Sequence, residues 1–466
     1  MPTRSWPRWV LGGFLVAGLA VAVLLSSDRS RREAKRWVAE RAGDVAAQVV
    51  QGGGDSERAA DLINVPVAVR KLANSVYQAA GVGNVQLIAT PEGHVVFDTG
   101  LVIQAAKQRR LLAEAIPDGP ITHVILSHSH QDHIGGTQFF VEEGTEIVAH
   151  QEFPEEQRYL NELQPYLWSR NRTLFPWMPE SPPKIGFVAR GIQPTLLVDD
   201  PDPYRFEQGG IRFEVIPSPG AEGADNLVLW LPDEKILFSG DFFGPIFPQF
   251  PNVFTMRGEK VRKPIEYIES LERIIALEPE MVVPSHRDPV TGKEEIRAAI
   301  VKMRDAVRYV HDATVAGMNA GKTVHELMAE IELPPELVMT QAHGRVSWAV
   351  KSIWEYYATW FHFDRTTELY PVPQEAILDE VVELAGIQGL IDRARRHVEA
   401  GRPIHALHLM EIALGGQPTH RGALEARLEA LGSLLEQARP LNNSYEMDWL
   451  SSRIRVTEEA LARDAS

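Results

Sequence analysis

Eleven residues limit what this chain can be more than any other stretch: Leu126-Ser127-His128-Ser129-His130-Gln131-Asp132-His133-Ile134-Gly135-Gly136. The apolar run His123–Leu126 before the cluster reads as a short buried strand, and Ile134–Val141 after it reads as a helix. The strand delivers the chain into a tight turn. Alternation along the extended part puts the imidazoles of His128 and His130 on one side. Asp132 and His133 then point from the turn into the neighbouring space. Two adjacent metal positions result, each with nitrogen and oxygen donors, a set that suits zinc, iron or manganese. The bland alternative is a polar loop with surface histidines. Three histidines and an aspartate within six residues, directly after an apolar strand, argue against it.

Composition decides what else could help these ligands. The 466 residues include no cysteine, which excludes disulfides, thiolate zinc sites, iron–sulfur clusters and a cysteine nucleophile. Any metal must be held by His, Asp and Glu. The formal net charge of −16 argues against nucleic acid as the main partner. That charge is uneven: residues 1–36 carry seven basic and two acidic side chains, +5, which leaves −21 on the rest. Within them, Trp9–Leu25 is a run of 17 apolar, Gly and Ala residues with Arg4 and Arg8 before it and five basic residues soon after. Such a run is at the short end of a spanning helix and the long end of a signal-peptide core. Leu24-Leu25-Ser26-Ser27-Asp28 is a poor cleavage site, so the expectation is an uncleaved single-pass N-terminal membrane anchor, with cleavage and export as the alternative. The more basic C-terminal flank would keep the body cytoplasmic. The signal-like layout and the missing cysteines favour a periplasmic body, and that side is preferred.

Residues 37–65, rich in Ala and charge, read as a helical linker. From about 66, Ser75–Gln78, Val85–Ala89 and His94–Asp98 form a meander of short strands. Ala105–Ile116 reads as a helix and Glu146–Ala149 as the next strand. Residues 151–185, rich in Pro, Trp and Arg without periodicity, read as a long loop over a site. Strands resume at Ile211–Ile216, Leu227–Leu231, Lys235–Ser239 and Met281–Val283, with a helix over Pro264–Leu277. Beyond about 292 the pattern is helical, and the last pairs resemble degenerate helical-hairpin repeats. The chain so divides into an anchor (1–36), a linker (37–65), an α/β domain (66–303) and an all-α domain (304–466). Trp354, Tyr356, Tyr357, Trp360 and Phe361 read as helix-packing residues. His94, His123, His150, His311 and His343 read as core or satisfied histidines.

The histidine segment matches the HxHxDH signature of the metallo-β-lactamase superfamily, and the rest of the α/β domain resembles that family in order. The resemblance implies an αββα sandwich holding two divalent metal ions, zinc being expected. It implies that Asp98, at the end of Val95-Val96-Phe97-Asp98, supports the site by hydrogen bonds. It also implies that Asp241, in Phe238-Ser239-Gly240-Asp241, bridges the metals and that His286, in Val282-Val283-Pro284-Ser285-His286, is the last ligand. Where most members have a histidine after Pro-Gly, this chain has Pro219-Gly220-Ala221-Glu222. Glu222 is the obvious replacement, with Asp225 a weaker one. His128, His130 and Glu222 would then hold one metal and Asp132, His133 and His286 the other, with Asp132 and Asp241 given the catalytic role.

Glu222 lies 19 residues before Asp241, which resembles the alkylsulfatase branch. Phe254–Arg262 resembles that branch's Arg-Gly-x-Lys-Val-Arg segment, whose arginine holds the sulfate. Arg257 is the expected clamp, and Asn252 could add an amide donor. Arg304–Gly321 and Leu333–Leu337 resemble the start of the branch's helical dimerisation domain and imply a homodimer. Three departures stand out. Trp348 replaces a histidine expected to reach the sulfate. Asp241 stands where the branch often has glutamate. No sterol-carrier-like domain is expected after Asn442–Tyr445, which makes a long alkyl substrate less secure. The expected function is a binuclear hydrolase that cleaves alkyl or aryl sulfate esters with metal-activated water. The alternative is a hydrolase of another ester class, a phosphoester, lactone or thioester, and the third reading is a non-catalytic membrane-anchored scaffold.

Overall fold

The computed structural model describes residues 65–175, 178, 180, 191–253, 256, 257, 259, 260 and 262–464. The expected anchor over 1–36, and the linker up to residue 64, lie outside them. Among the described residues no helix is long and apolar enough to cross a membrane. The chain divides into two compact units. The first comprises Met1–Ala149, Pro183–Leu197 and Glu207–Ile211; the second comprises His150–Pro182, Val198–Phe206 and Arg212–Ser466.

The first unit is built on a seven-stranded sheet in sequence order. β1 (Val69–Lys71), β2 (Val76–Ala79), β3 (Val85–Thr90) and β4 (Gly93–Phe97) form the antiparallel meander. Helix α1 (Val102–Ala115) then crosses to β5 (Ile121–Ile125), which pairs parallel to β4, and β6 (Glu146–His150) pairs parallel to β5. β7 (Leu196–Val198) is the edge strand. All five residues of β4 are buried, as expected of a strand that a parallel crossover covers. The helix expected over Ile134–Val141 is instead two single turns, α2 (Gln131–Ile134) and α3 (Thr137–Phe140). The break is at Gly135-Gly136, where the turn presses on the end of β4. A Cβ at Gly136 would stand 2.1 Å from the Thr99 carbonyl oxygen.

The segment expected as a long loop over 151–185 begins with two helices, α4 (Phe153–Glu162) and α5 (Gln164–Leu174). Each carries a proline in its first turn, where proline starts a helix and does not break it. The buried face of α4 is Phe153, Glu156, Gln157 and Tyr159. Its polar members conceal the apolar period.

The second unit holds a six-stranded sheet, ordered β13-β12-β11-β10-β9-β8. Its strands are β8 (Tyr204–Gln208), β9 (Ile211–Pro217), β10 (Leu227–Leu231), β11 (Ile236–Gly240), β12 (Met281–Pro284) and β13 (Val290–Thr291). α6 (Pro264–Leu277) makes the crossover that sets β12 parallel to β11. α7 (Lys293–Asn319) buries Ile296, Ile300, Met303, Val307 and Val310, one helical face. That face shares a core with Val228, Leu237, Leu271, Val350 and Ile353. Five such side chains contribute ~1.5–3 kcal/mol each. A boundary at 303/304 therefore falls inside a continuous helix.

α8 (Val324–Glu330) starts with a capping box between Thr323 and Glu326. α9 (Val346–Ala358) buries Val346, Ala349, Val350 and Ile353 and then ends, with Thr359 at φ +64°. Tyr356 and Trp360 are thus exposed, not packed between helices as the sequence suggests, whereas Trp354 packs on the core and the Tyr357 hydroxyl meets His311 of α7 at 2.9 Å. α10 (Leu378–Ala385), α11 (Ile387–Glu399), α12 (Pro403–Gly416), α13 (Arg421–Ala438) and α14 (Ser444–Asp464) follow. Ile391, Ala394, Ala406, Met410 and Ala426 form a core shared by α11, α12 and α13.

Candidate metal centre

Each unit places a cluster of polar side chains just beyond the C-terminal ends of its two parallel neighbours. In the first unit these are β4 and β5. The Asp98 N–H donates to the Ile125 carbonyl at 2.9 Å, which ties the two strand ends together. Asp98 itself sits at φ +57°, and its carboxylate is fully buried. It accepts from the Ser127 N–H at 2.8 Å and the Ser127 hydroxyl at 2.9 Å, and contacts His133 Nδ1 at 3.0 Å. A carboxylate only accepts, so Nδ1 of His133 carries the ring proton and Nε2 presents a lone pair. The Ser127 proton is committed to Asp98. The 2.9 Å contact between Ser127 Oγ and His128 Nδ1 then makes His128 the donor and gives it the same tautomer.

His128 Nε2 lies 2.8 Å from His130 Nδ1, and the rings of His128 and His133 are 4.3 Å apart. Asp132 Oδ2 stands 3.5 Å from His133 Nε2. Imidazole lone pairs converging beside a carboxylate, with the opposite ring nitrogens braced by buried acceptors, are the donor set that a divalent cation requires. The residues fit the implied metal.

In the second unit the parallel pair is β11 and β12. Gly240 is in register with Pro284, and the Ser285 N–H donates to the Gly240 carbonyl at 3.1 Å. Asp241 and His286 leave these strand ends side by side, Nε2 to Oδ2 at 3.1 Å. Glu222, on the turn after β9, is buried. Arg262 Nη1 holds one of its oxygens at 2.6 Å and Arg257 Nη2 the other at 3.2 Å. Glu259 joins both guanidinium groups, at 3.0 Å to Arg257 and 3.3 Å to Arg262. Arg257 is therefore part of a partly buried network with Glu222, Glu259 and Arg262, not an isolated surface ion pair. Such a network is tolerable because every charge is matched.

Asn252 accepts from Arg262 through its carbonyl at 2.6 Å. Its amide Nδ2 is 3.4 Å from His343 Nε2. A small recess beside this network is lined by Gly220, Glu222, Asp241, Phe242, Asn252 and Tyr267.

The structure so gathers Asp98, His128, His130, Asp132 and His133 in one unit. In the other it pairs Asp241 with His286, and Glu222 with Arg257 and, through Arg262, Asn252. Asp225 is buried near the Glu222 turn. Histidines read as structural have local partners: His94 Nε2 meets the Pro117 carbonyl at 3.0 Å, and His150 Nδ1 accepts from the Glu152 N–H at 3.1 Å. Sequence reasoning missed Ser127, Arg262 and Glu259, although all three stand inside or beside quoted motifs. It read His343 as structural by default and named it, with Arg345, only as a substitute for the histidine that Trp348 replaces.

Comparison with known proteins bears on both halves of the chain. A model described as the metallo-beta-lactamase superfamily matches residues 79–286, and one described as alkyl sulfatase dimerisation matches residues 323–448. The chain carries a metallo-beta-lactamase superfamily domain followed by an alkyl sulfatase dimerisation domain. All the candidate ligands, with Asn252 and Arg257, fall in the metallo-beta-lactamase match, and His343 falls in the dimerisation match.

The chain is 30% identical over 324 residues to a linear primary-alkylsulfatase of Pseudomonas sp., spanning 64% of this chain and 60% of that one. It is 24% identical over 397 residues to the alkyl/aryl-sulfatase BDS1 of Saccharomyces cerevisiae, spanning 79% and 61%. The chain thus spans about 60% of the length of these curated relatives. Its fold is similar to that of the stereoselective inverting sec-alkylsulfatase Pisa1 from Pseudomonas sp. (TM-score 0.73, 21% identity, 88% of this chain and 70% of that one).

Proposed function

We propose that this chain is a metal-dependent hydrolase that cleaves alkyl or aryl sulfate esters. Two divalent ions, expected to be zinc, would be held by His128, His130, Asp132, His133, Glu222, Asp241 and His286. The alkylsulfatase relatives support the reaction class. The observation that carries the substrate class is the guanidinium pair of buried Arg262 and half-buried Arg257, beside Asn252 and Glu222. Ions in such a site supply a water nucleophile at neutral pH by lowering its pKa.

The protein's own groups do the rest. Asp98, through Ser127 and His133, keeps the imidazoles in the tautomer that presents Nε2. Arg257 can grip two sulfate oxygens through its fork of N–H donors. It now holds two carboxylates, so an entering sulfate would exchange with Glu259 on that guanidinium. Water adds to the ester, and an alcohol and hydrogen sulfate leave. The dimerisation match supports a homodimer.

Two observations favour a second reading. The Arg257–Arg262–Glu222–Glu259 network is neutral overall, and Trp348 stands where the resemblance expects an anion-binding histidine. Both suit a neutral ester such as a lactone or thioester; a phosphoester, an anion like the sulfate ester, is the other class to test. A panel of chromogenic sulfate, phosphate and lactone substrates separates the readings, with sulfate expected to turn over fastest and only with metal. Arg257→Ala should raise KM for sulfate esters by about ten-fold or more and leave KM for neutral esters nearly unchanged. Equal losses on both would remove the clamp.

A further inference from the structure

We propose that Gln108 is a positioning residue: it sets the Asp132-His133 turn, and through it the metal that those two side chains would hold. The inference rests on the metal reading of the site and not on the sulfate ester. Every residue concerned lies in the first unit. Gln108 stands on the buried face of α1, between Ala105 and Leu112, and none of it is exposed. An apolar side chain would fill that face without a polar group to satisfy.

The glutamine amide grips a loop. Nε2 donates to the Gly83 carbonyl at 2.9 Å and reaches the Ala79 and Ala80 carbonyls at 3.2 and 3.3 Å. All three partners are acceptors, so the amide must face them with its NH2. One turn earlier on the helix, Gln104 accepts from the Val82 N–H at 2.7 Å. Two amides four residues apart therefore hold the loop between β2 and β3 by its backbone. What that loop touches gives the grip its meaning. A Cβ at Gly83 would stand 1.8 Å from the Asp132 carbonyl oxygen and 2.8 Å from its carbon, so the loop backbone lies directly against the Asp132 peptide.

Gln108 meets a second loop, the one that leaves β4. A Cβ at Gly100 would stand 2.3 Å from Gln108 Oε1, and the Gly100 carbonyl accepts from the Gly136 N–H at 3.1 Å. Beside it, Thr99 donates to the His133 carbonyl twice, from its N–H at 2.6 Å and its hydroxyl at 2.8 Å. Two loops thus clasp the Asp132-His133 turn, and Gln108 is wedged between them. Its Oε1 has no donor among the described residues, a cost that a space-filling residue would not carry. Ligating groups have to be held within about 0.5 Å of their working geometry. Asp98 braces the imidazoles, and Gln108 braces the backbone that carries the ligands.

The test is the zinc affinity of the full chain, measured by competition with a chromogenic chelator beside the thermal midpoint. The variants are Gln108→Leu, Gly83→Ala, the two combined, and Leu112→Ala. Gln108→Leu should bind zinc about 10–100-fold more weakly than wild type. Gly83 is not at positive φ, so Gly83→Ala strikes the contact with Asp132 alone and should also weaken zinc binding. If Gln108 acts through that loop, the double variant loses less than the product of the two single losses. Leu112, fully buried on the same helix, is the control. Leu112→Ala should lower the thermal midpoint and leave zinc affinity unchanged.

Three results overturn the inference: Gln108→Leu that binds zinc within two-fold of wild type, Leu112→Ala that loses as much affinity for the same fall in thermal midpoint, or single losses that multiply in the double variant. If Gln108→Leu fails to fold, Gln108→Met, which keeps the length and loses the donor, decides by the same criteria. Wild type that binds no zinc overturns the inference together with the metal reading. Failure of the sulfatase reading looks different. Wild type would bind zinc in a Gln108-dependent way, yet cleave no sulfate ester.

Discussion

Asp98 shows how much one buried carboxylate can organise. It has no room to be solvated, so three contacts replace water: two from Ser127 and one from His133. Those contacts set which ring nitrogens of His128 and His133 present lone pairs. Asp98→Asn keeps the shape but turns one acceptor into a donor, which then faces a donor. Zinc affinity should fall about 10–100-fold, measured by competition with a chromogenic chelator. Affinity within two-fold of wild type would show that the brace is dispensable. Asp98 was legible through its resemblance to a strand-end aspartate. Ser127 was not, because nothing local marks a serine as the relay between two side chains. Glu222 and Arg257 were each legible, but not as partners: they are 35 residues apart and meet only in the fold.

At the scale of elements, the strands were the clearest part. Leu227–Leu231 and the helix Pro264–Leu277 stand where the pattern puts them, because fully apolar strands and a clean amphipathic face allow one solution. α4 was hidden by buried polar residues, α5 by a buried face of only Leu167 and Leu174, and the end of α9 by aromatic residues that continue the helical spacing into solvent.

Past that end the chain folds back through His362. Its Nε2 meets Glu355 of α9 at 2.9 Å, and its Nδ1 meets Glu368 at 3.1 Å. Both ring nitrogens face carboxylates, and Trp354 packs on the ring. The hydrogen bond to Glu355, helped by the charges of Glu368 and Asp364, raises the imidazole above its ordinary 6.5. A raised histidine contributes its full stabilisation below 6.5 and loses it as pH rises through the folded-state value. The thermal midpoint of His362→Gln should therefore fall below wild type near pH 6 and converge with it by about pH 9. A gap that widens with pH would refute the latch.

At the scale of the whole molecule, the segment between α9 and α10 carries apolar side chains that the described residues leave exposed. Trp360 is 73% exposed and Phe363 86%, and Leu369, Tyr370 and Val372 follow them in the same segment. The segment lies inside the alkyl sulfatase dimerisation match. Single exposed apolar residues are ordinary, but a run of them is the mark of an interaction site. Light scattering of the full chain should give a dimer, and Trp360→Ser with Phe363→Ser should shift it to monomer at micromolar concentration. A dimer that survives both changes would move the interface elsewhere.

The sequence by itself determined the ligand chemistry, since a chain without cysteine that places HxHxDH after an apolar strand can offer only imidazole and carboxylate. It determined most strands and helices too, because their periods are local. Only the tertiary structure decided which ring nitrogens of His128 and His133 present lone pairs, that Arg257 is held by Glu222 and Glu259, and that His343 stands beside Asn252. Those facts depend on contacts between residues far apart in the chain, and no local period encodes them.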